Sequence, residues 1–414
     1  MLSLTIANVN FPFGTELVSV TTRTSQLSGK ELYNNKACNS SFKVLFAGNS
    51  SVKLVILNRP RKLNALNLEM VSQILKNLRM YENDSSVKLV ILKGNGKGFC
   101  AGGDVVSLIS CSLIGHWTYP MKFYGKQLIL DHLAATYKKP LVSVINGVVM
   151  GGGAGLSMNT TFRIVTEKAV FAMPEAEIGY FPDVGASYFL SRLPGYFGEY
   201  LGLTETRLDG IEMAACGLAT HFVHSTKLNA LENALQAITS SNVSTVAALI
   251  ETFTEKPTVK QDSPFKRLEI INKCFSKGTV EDIIQSLENE LENGAEEKWI
   301  TNALNSMRFS CPMSLKIFLK SIRKGRIQNI EECLYRDYNI ACHLNRRTVS
   351  NNFYEGSRAK LFDKDNKPKW EPSKLELVSE EMVDQHFTNI IDDTWEPLQL
   401  PLRSHSPIIT ASRL

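Results

Sequence analysis

The sequence predicts an α/β fold followed by a mostly α-helical C-terminal region. Three observations carry this. A unit of short β-rich run, glycine turn and amphipathic helix recurs in the first half. The glycines thin out after about residue 245. Beyond that point charged amphipathic segments take over.

The first run, Val52-Lys-Leu-Val-Ile-Leu57, closes on Asn58-Arg59-Pro60, and the second, Val87-Lys-Leu-Val-Ile-Leu92, closes on Gly94-Asn95-Gly96. β-branched residues bounded by turn formers are the signature of strands. Between them Leu66, Met70, Val71, Ile74, Leu75 and Leu78 recur mostly at three- and four-residue steps, which places them on one buried helical stripe. A third strand is expected over Pro140–Ile145, running into Gly147 and the triplet Gly151-Gly152-Gly153. Helices are expected over Val280–Glu292, Glu297–Met307, Met313–Lys324 and Ile330–Leu344. Asp363–Pro372 reads as a polar turn region, and from Pro397 onward an extended, loosely held tail is expected. The organisation that follows is a poorly ordered extension (1–42), an α/β core with the site (43–245), a helical region (246–400) and a flexible tail (401–414).

At 414 residues, with 43% hydrophobic and 21% charged residues, the chain can bury a sizeable core and is neither fibrous nor disordered in composition. A net charge of +5, with both signs interleaved, is too mild for a nucleic-acid partner. No run of 18 uncharged apolar residues exists, so no membrane partner is expected; the best candidate, Leu141–Met158, is broken by Ser143, Asn146 and five glycines. The eight cysteines show no CxxC spacing and read as reduced thiols. His221 and His224 form an HxxH without an acidic partner at ligand spacing, so no metal is expected.

Two glycine-rich turns stand out, Phe99-Cys-Ala-Gly-Gly-Asp104 and Met150-Gly-Gly-Gly-Ala-Gly155. Each can present bare backbone N–H groups, and two such donors aimed at one oxygen stabilise the oxyanion formed when a thioester or ester carbonyl is attacked. Competing chemistries lack their residues. The triplet is followed by no Lys-Ser/Thr, no GxGxxG frame is present, and no GxSxG elbow occurs. What remains is a carboxylate site. Glu175 and Asp183 lie in the apolar, Gly/Pro-punctuated stretch from Phe171 to Gly185, where a partly desolvated Glu acquires a raised pKa suited to moving protons near neutrality. Glu177 reads as a solvated neighbour.

These pieces, in this order, resemble the crotonase (enoyl-CoA hydratase/isomerase) superfamily, and within it the plant-type 3-hydroxyisobutyryl-CoA hydrolase branch. Leu57–Leu66, Gly98–Asp104 and Asn146–Leu156 carry the superfamily resemblance. Phe171-Ala-Met-Pro-Glu175, Phe181-Pro-Asp-Val-Gly185, Asn352-Phe-Tyr-Glu-Gly-Ser-Arg358 and Asp363-Lys-Asp365 carry that of the branch. The resemblance spans roughly residues 43–385. It implies a crotonase-like spiral of ββα turns before the helical region, an oxyanion hole from the N–H groups of Gly103 and Gly152, and a catalytic pair in Glu175 and Asp183. Lys62, Asn64, Ala65 and Leu66 would lie along coenzyme A, largely through backbone, with Arg59 or Lys62 near phosphate charge. Asp104 and Gln127 complete the expected substrate-binding set. Gln127 aligns with a glutamate of animal members, and an amide there can bond a hydroxyl but cannot act as a base.

The subfamily turns on one position. Hydratases of the superfamily use two glutamates, and the place of the first, three residues after Gly152, is Gly155 here. Hydrolysis of the 3-hydroxyisobutyryl-CoA thioester, and of 3-hydroxypropionyl-CoA with it, is therefore the expected activity. Glu175 would either activate water or attack the carbonyl to form an anhydride. The alternatives are an enoyl-CoA hydratase/isomerase and a catalytically idle crotonase-fold scaffold in a mitochondrial assembly. No cofactor is implied beyond the coenzyme A of the substrate. The expected partners are the small-molecule acyl-CoA, further copies in a homo-oligomer and a peroxisomal import receptor. The receptor follows from Ser412-Arg413-Leu414, which resembles the Ser-Lys-Leu address and favours the peroxisome over the mitochondrion. Residues 1–42 are too poor in arginine for a good transit peptide.

Overall fold

The computed structural model describes residues 42–403 except 295–297, 391, 393 and 394. Nearly all of the expected N-terminal extension, and the tripeptide 412–414, lie outside the described residues.

Among the described residues ten strands form two sheets. The larger has the order β1-β2-β3-β5-β7-β10: β1 (Val44–Gly48), β2 (Val52–Leu57), β3 (Leu89–Gly94), β5 (Leu141–Ile145), β7 (Phe162–Val165) and β10 (His221–Phe222). Only β1 runs antiparallel to its neighbour. The smaller sheet has β4 (Gly98–Cys100), β6 (Val148–Met150), β8 (Val170–Ala172) and β9 (Leu208–Asp209), with β4, β6 and β8 parallel. From β3 to β8 the chain gives one strand to the large sheet, one to the small sheet, then a helix or turn, and repeats. This is the ββα spiral that the resemblance implies.

The large sheet is apolar on both faces, as parallel sheets must be when helices cover each side. Val55, Leu57, Val90 and Leu92 face a core shared with α1 (Leu68–Asn83). Leu54, Leu89, Ile91, Val142 and Ile164 face the helices Leu228–Gln236 and Val243–Glu251 through Leu231, Leu235, Val246 and Ile250. Helix α1 follows from its sequence. Asn67 caps it by accepting from Met70 N at 3.0 Å, and Met70, Val71, Ile74, Leu75 and Leu78 form the buried stripe. Leu66, expected on that stripe, lies before the cap. It forms a parallel bridge with Gly103 instead.

The remaining expectations shift by a few residues. The second strand begins at Leu89 rather than Val87. The late helices span Val280–Glu292, Lys298–Phe309, Pro312–Gly325 and Ile330–Arg346. The change near residue 245 is one of secondary structure within a single compact unit. Helix Phe197–Thr204 presses on Pro312–Gly325 so closely that a Cβ on Gly202 would meet the Phe318 ring at 2.1 Å. Glu199, fully buried, bonds Arg326 at 2.7 Å across the same seam. The stretch from 397, expected to be loose, is tied at its described end. Arg403 bonds Thr136 Oγ1 at 2.7 Å and Glu82 at 2.5 Å, and Leu398 is buried.

Ile74 sits at the centre of the α1 stripe with no exposure. Ile74→Ala is expected to lower stability by about 2–5 kcal/mol through lost burial and a residual cavity, read as a lower midpoint in urea unfolding.

Candidate active site

The three parallel strands of the small sheet end side by side, and ligands of open parallel sheets bind beyond the carboxyl ends of the strands. After β4 comes the turn Ala101–Asp104. After β6 come Gly151 and α2 (Gly152–Met158). After β8 come Met173, Pro174 and Glu175. Strand pairing therefore brings Gly103, Gly152 and Glu175 together from positions 72 residues apart.

The first turn is held by the loop after β2. Ala101 N donates to Leu63 O at 2.9 Å, Leu66 N to Gly102 O at 2.8 Å, and Asp104 N to Leu66 O at 2.8 Å. The loop is itself fixed by Asn64, which is fully buried at φ +59°. Its Oδ1 accepts from Arg59 N at 2.7 Å, and its Nδ2 donates to Gly98 O at 2.8 Å and Asn95 O at 3.0 Å. The two glycine turns then meet in van der Waals contact, and at Gly153 there is no room for a side chain. A Cβ on Gly102 would stand 3.6 Å from Gly152 N, one on Gly152 3.5 Å from Gly103 N, and one on Gly153 2.3 Å from Cys100 O. The N–H groups of Gly103 and Gly152 thus lie together, and neither has an acceptor among the described residues. Two adjacent bare donors are the geometry that receives an oxyanion.

Both glycines line a cavity of about 430 Å³ that also takes in Lys62, Ala65, Asp104, Gln127, Glu175 and Asp183. Asn64 and Leu66, expected along the substrate, do not line it. The Asn64 amide is spent on Arg59, Asn95 and Gly98, which fastens the loop to the β3–β4 turn, and Leu66, its side chain in the core, bonds the Gly103 turn through its backbone. Arg59 is likewise committed, to Asp104 at 2.8 Å and Ala65 O at 2.5 Å. Burial opposes ionisation of Asp104, but the Arg59 bond and charge, with Lys62 at 3.3 Å, hold its carboxyl below the ordinary range. The Lys62 side chain is 56% exposed, which leaves its ammonium at the mouth for phosphate charge.

Glu175 begins a short 3₁₀ turn, Glu175–Ile178, that ends on Gly179 at φ +69°. Its carboxylate abuts the glycine triplet: a Cβ on Gly151 would lie 2.7 Å from Oε1, while Oε2 is buried and without a partner. Burial first, then the charges of Asp183 and Glu205, push its pKa well above 4.5. Asp183 is also buried, bonded by Tyr180 Oη at 3.4 Å. Burial and the nearby Asp337 raise its carboxyl well above 3.8. Val184 follows at φ +54°, an unusual conformation for a β-branched residue. Gly185 N, bonded to Asp337 Oδ2 at 2.8 Å, holds the turn.

Position 155 is closed by packing. A Cβ there would fall 2.5 Å from Val184 Cβ and 2.9 Å from Asp131 Oδ2. A glutamate cannot enter without displacing both.

Several neighbours escaped the sequence reading. Phe353 reaches the cavity from the late Asn352–Arg358 motif, which has a family signal but no assigned role, and Tyr180 lies in the apolar stretch Phe171–Gly185 just before the second of its motifs. Asp131, Glu205 and Asp337 carried no local signal. Glu177, expected to be solvated, is half-buried at the rim and pairs with Lys360. His221 and His224 are remote from the cavity lining and pair with Glu251 at 3.8 Å and Glu167 at 3.9 Å.

Gly155→Glu is expected to cost at least about 3 kcal/mol from overpacking and a buried carboxylate, and to confer no hydration of crotonyl-CoA. Thermal unfolding and absorbance of the enoyl thioester check the two outcomes.

The comparisons with known proteins agree with this geometry. A model of the enoyl-CoA hydratase/isomerase family matches residues 52–387. The chain is 48% identical over 375 residues to 3-hydroxyisobutyryl-CoA hydrolase 1 of Arabidopsis thaliana, covering 91% of this chain and 98% of that protein. It is 50% identical over 367 residues to the same plant's Probable 3-hydroxyisobutyryl-CoA hydrolase 3, covering 88% and 97%. Among solved structures, a carnitinyl-CoA dehydratase from Mycobacterium thermoresistibile superposes with a TM-score of 0.76 at 32% identity, over 84% of this chain and 97% of that one. By fold and by these matches, the chain belongs to the enoyl-CoA hydratase/isomerase family.

Proposed function

We propose that the chain hydrolyses the thioester of 3-hydroxyisobutyryl-CoA, and of 3-hydroxypropionyl-CoA, to the free hydroxy acid and coenzyme A, a step of valine breakdown. One observation carries the reading. Glu175, whose buried Oε2 has no partner among the described residues, lines the same cavity as Gly103 and Gly152, and position 155 has no space for a second glutamate. The names borne by the relatives support the same substrate.

In this reading the thioester oxygen lies against the two N–H groups, and charge developing there is stabilised by donors that need no reorganisation. Glu175 supplies the other half. As a base it takes a proton from water while the water oxygen bonds to the carbonyl carbon. As a nucleophile it forms the anhydride that water then opens. In both routes the C–S bond breaks and the sulfur leaves as thiolate, which takes up a proton. Asp183 holds the attacking water or the substrate hydroxyl.

The test is thiol release from 3-hydroxyisobutyryl-CoA with crotonyl-CoA hydration run beside it. Glu175→Gln is expected to reduce thiol release by at least about 100-fold. Hydration without thiol release would favour the hydratase, and turnover of neither thioester by folded protein would favour the scaffold.

The pH profile is a second check. The active form is ionised Glu175, whose pKa is raised, so kcat/KM should fall as pH drops through a value above 4.5. Glu205→Gln removes one of the charges that raise it. The acid limb should move to lower pH, with the plateau changed by less than about 3-fold.

A further inference from the structure

The amide of Gln127 is oriented by two acceptors. Gln127 lies on the helix Thr118–Ala135 and is almost fully buried. Its Nε2 donates to Asp131 Oδ1 at 2.9 Å and to Gly152 O at 3.2 Å. The Gly152 carbonyl can only accept, so the NH₂ group must face this way and the carbonyl oxygen must face the other. That oxygen, Oε1, is buried and has no partner among the described residues, while the side chain lines the cavity. Its Cδ lies within 3.7 Å of where a Cβ of Gly152 would be, beside the N–H that would receive the thioester oxygen.

Asp131, one turn along the same helix, is the second acceptor. It has no exposure and does not line the cavity. Its Oδ2 has no partner and lies against Gly155, 2.9 Å from the position of a Cβ there. Burial and the neighbouring Asp183 and Asp337 favour the neutral carboxyl, although the Gln127 bond opposes them. A neutral acid still accepts at Oδ1, so the role needs no charge.

We propose that Asp131 is a positioning residue that locks the Gln127 amide with its carbonyl oxygen toward the cavity, so that the site selects thioesters whose acyl chain carries a hydroxyl donor near the carbonyl. An acyl group without that hydroxyl leaves Oε1 buried and unbonded, which is the costly half of hydrogen-bond specificity. Without Asp131 only the longer bond to Gly152 O, at 3.2 Å, opposes a turn of the amide, and a turned amide presents NH₂ where the hydroxyl acceptor stood. The inference rests on the thioesterase reading for its reaction but concerns only which acyl chain is preferred.

The experiment compares 3-hydroxyisobutyryl-CoA with isobutyryl-CoA, as kcat/KM for thiol release and as Kd by calorimetry, in wild type, Asp131→Leu and Asp131→Asn. In Asp131→Leu the hydroxylated thioester should lose about 10- to 100-fold and the deoxy thioester less than about 3-fold. Asp131→Asn, the amide isostere of the neutral acid, should restore most of the preference because its Oδ1 accepts from Gln127 as before. Equal losses for both thioesters, or an unchanged preference, would overturn the proposal. If Asp131→Leu does not fold, Asp131→Ala carries the same comparison, and a wild type that shows no preference overturns the idea by itself. Thiol release from neither substrate would overturn the thioesterase reading, while the Kd ratio still decides the role of Asp131.

Discussion

The site depends on two backbone turns that touch each other directly, backbone against backbone. Gly102 and Gly103 on one side, and Gly151, Gly152 and Gly153 on the other, stand within van der Waals reach, with Gly153 against the Cys100 carbonyl. Any Cβ at Gly153 would force the strands apart. The approach puts two unpaired N–H groups next to each other, and parallel pairing of β4, β6 and β8 delivers Glu175 to the same edge. The loop that carries Asn64 and Leu66 braces this contact, since its hydrogen bonds zip along Ala101–Asp104, while its Lys62 and Ala65 line the cavity.

Around the turns the protein gathers carboxyl groups instead of matching each with a cation. Glu175, Asp183, Asp131 and Glu205 are all buried with pKa values pushed well upward, and Asp337 is pushed to about 6. Asp104, paired with Arg59 and Lys62, is the contrast. Raised pKa values mean that the folded chain holds more protons than the unfolded one above the ordinary carboxyl range. These groups therefore favour the folded state least as pH rises through their folded values. The cluster costs stability at neutral pH and provides a carboxylate basic enough to handle protons there.

The helical half completes the site from a distance in sequence. Asp337 fixes the Gly185 turn and thereby the strained Val184 beside Asp183. Phe353 closes part of the cavity, and its helix packs on the Glu175 turn so tightly that a Cβ on Gly179 would meet Asn352 O at 2.2 Å. Burial of Glu199 against Arg326 anchors that half to the core. Gln127, Asp131 and Gly155 meet beside the cavity although no two of them share a motif.

The sequence alone determined the elements whose signals are local. Strands β2 and β5 follow from β-branched runs, α1 from its stripe and cap, and the late helices from amphipathic spacing. The glycine turns, Glu175 and Asp183 could be read because bare backbone and a carboxylate among apolar residues are unusual in themselves. Tertiary structure decided what depends on who stands opposite. It moved Leu66 from a helix stripe to a bridge with Gly103, turned Asn64 from a ligand contact into a loop fastener, and tied Arg403 down. It also showed why position 155 must be glycine: Val184 and Asp131 occupy the space from 29 residues ahead and 24 behind. Composition and periodicity record what each residue prefers within its own segment. Distances across the fold are set by packing between segments, and those distances decide which buried acids share a field and which oxygen is left free.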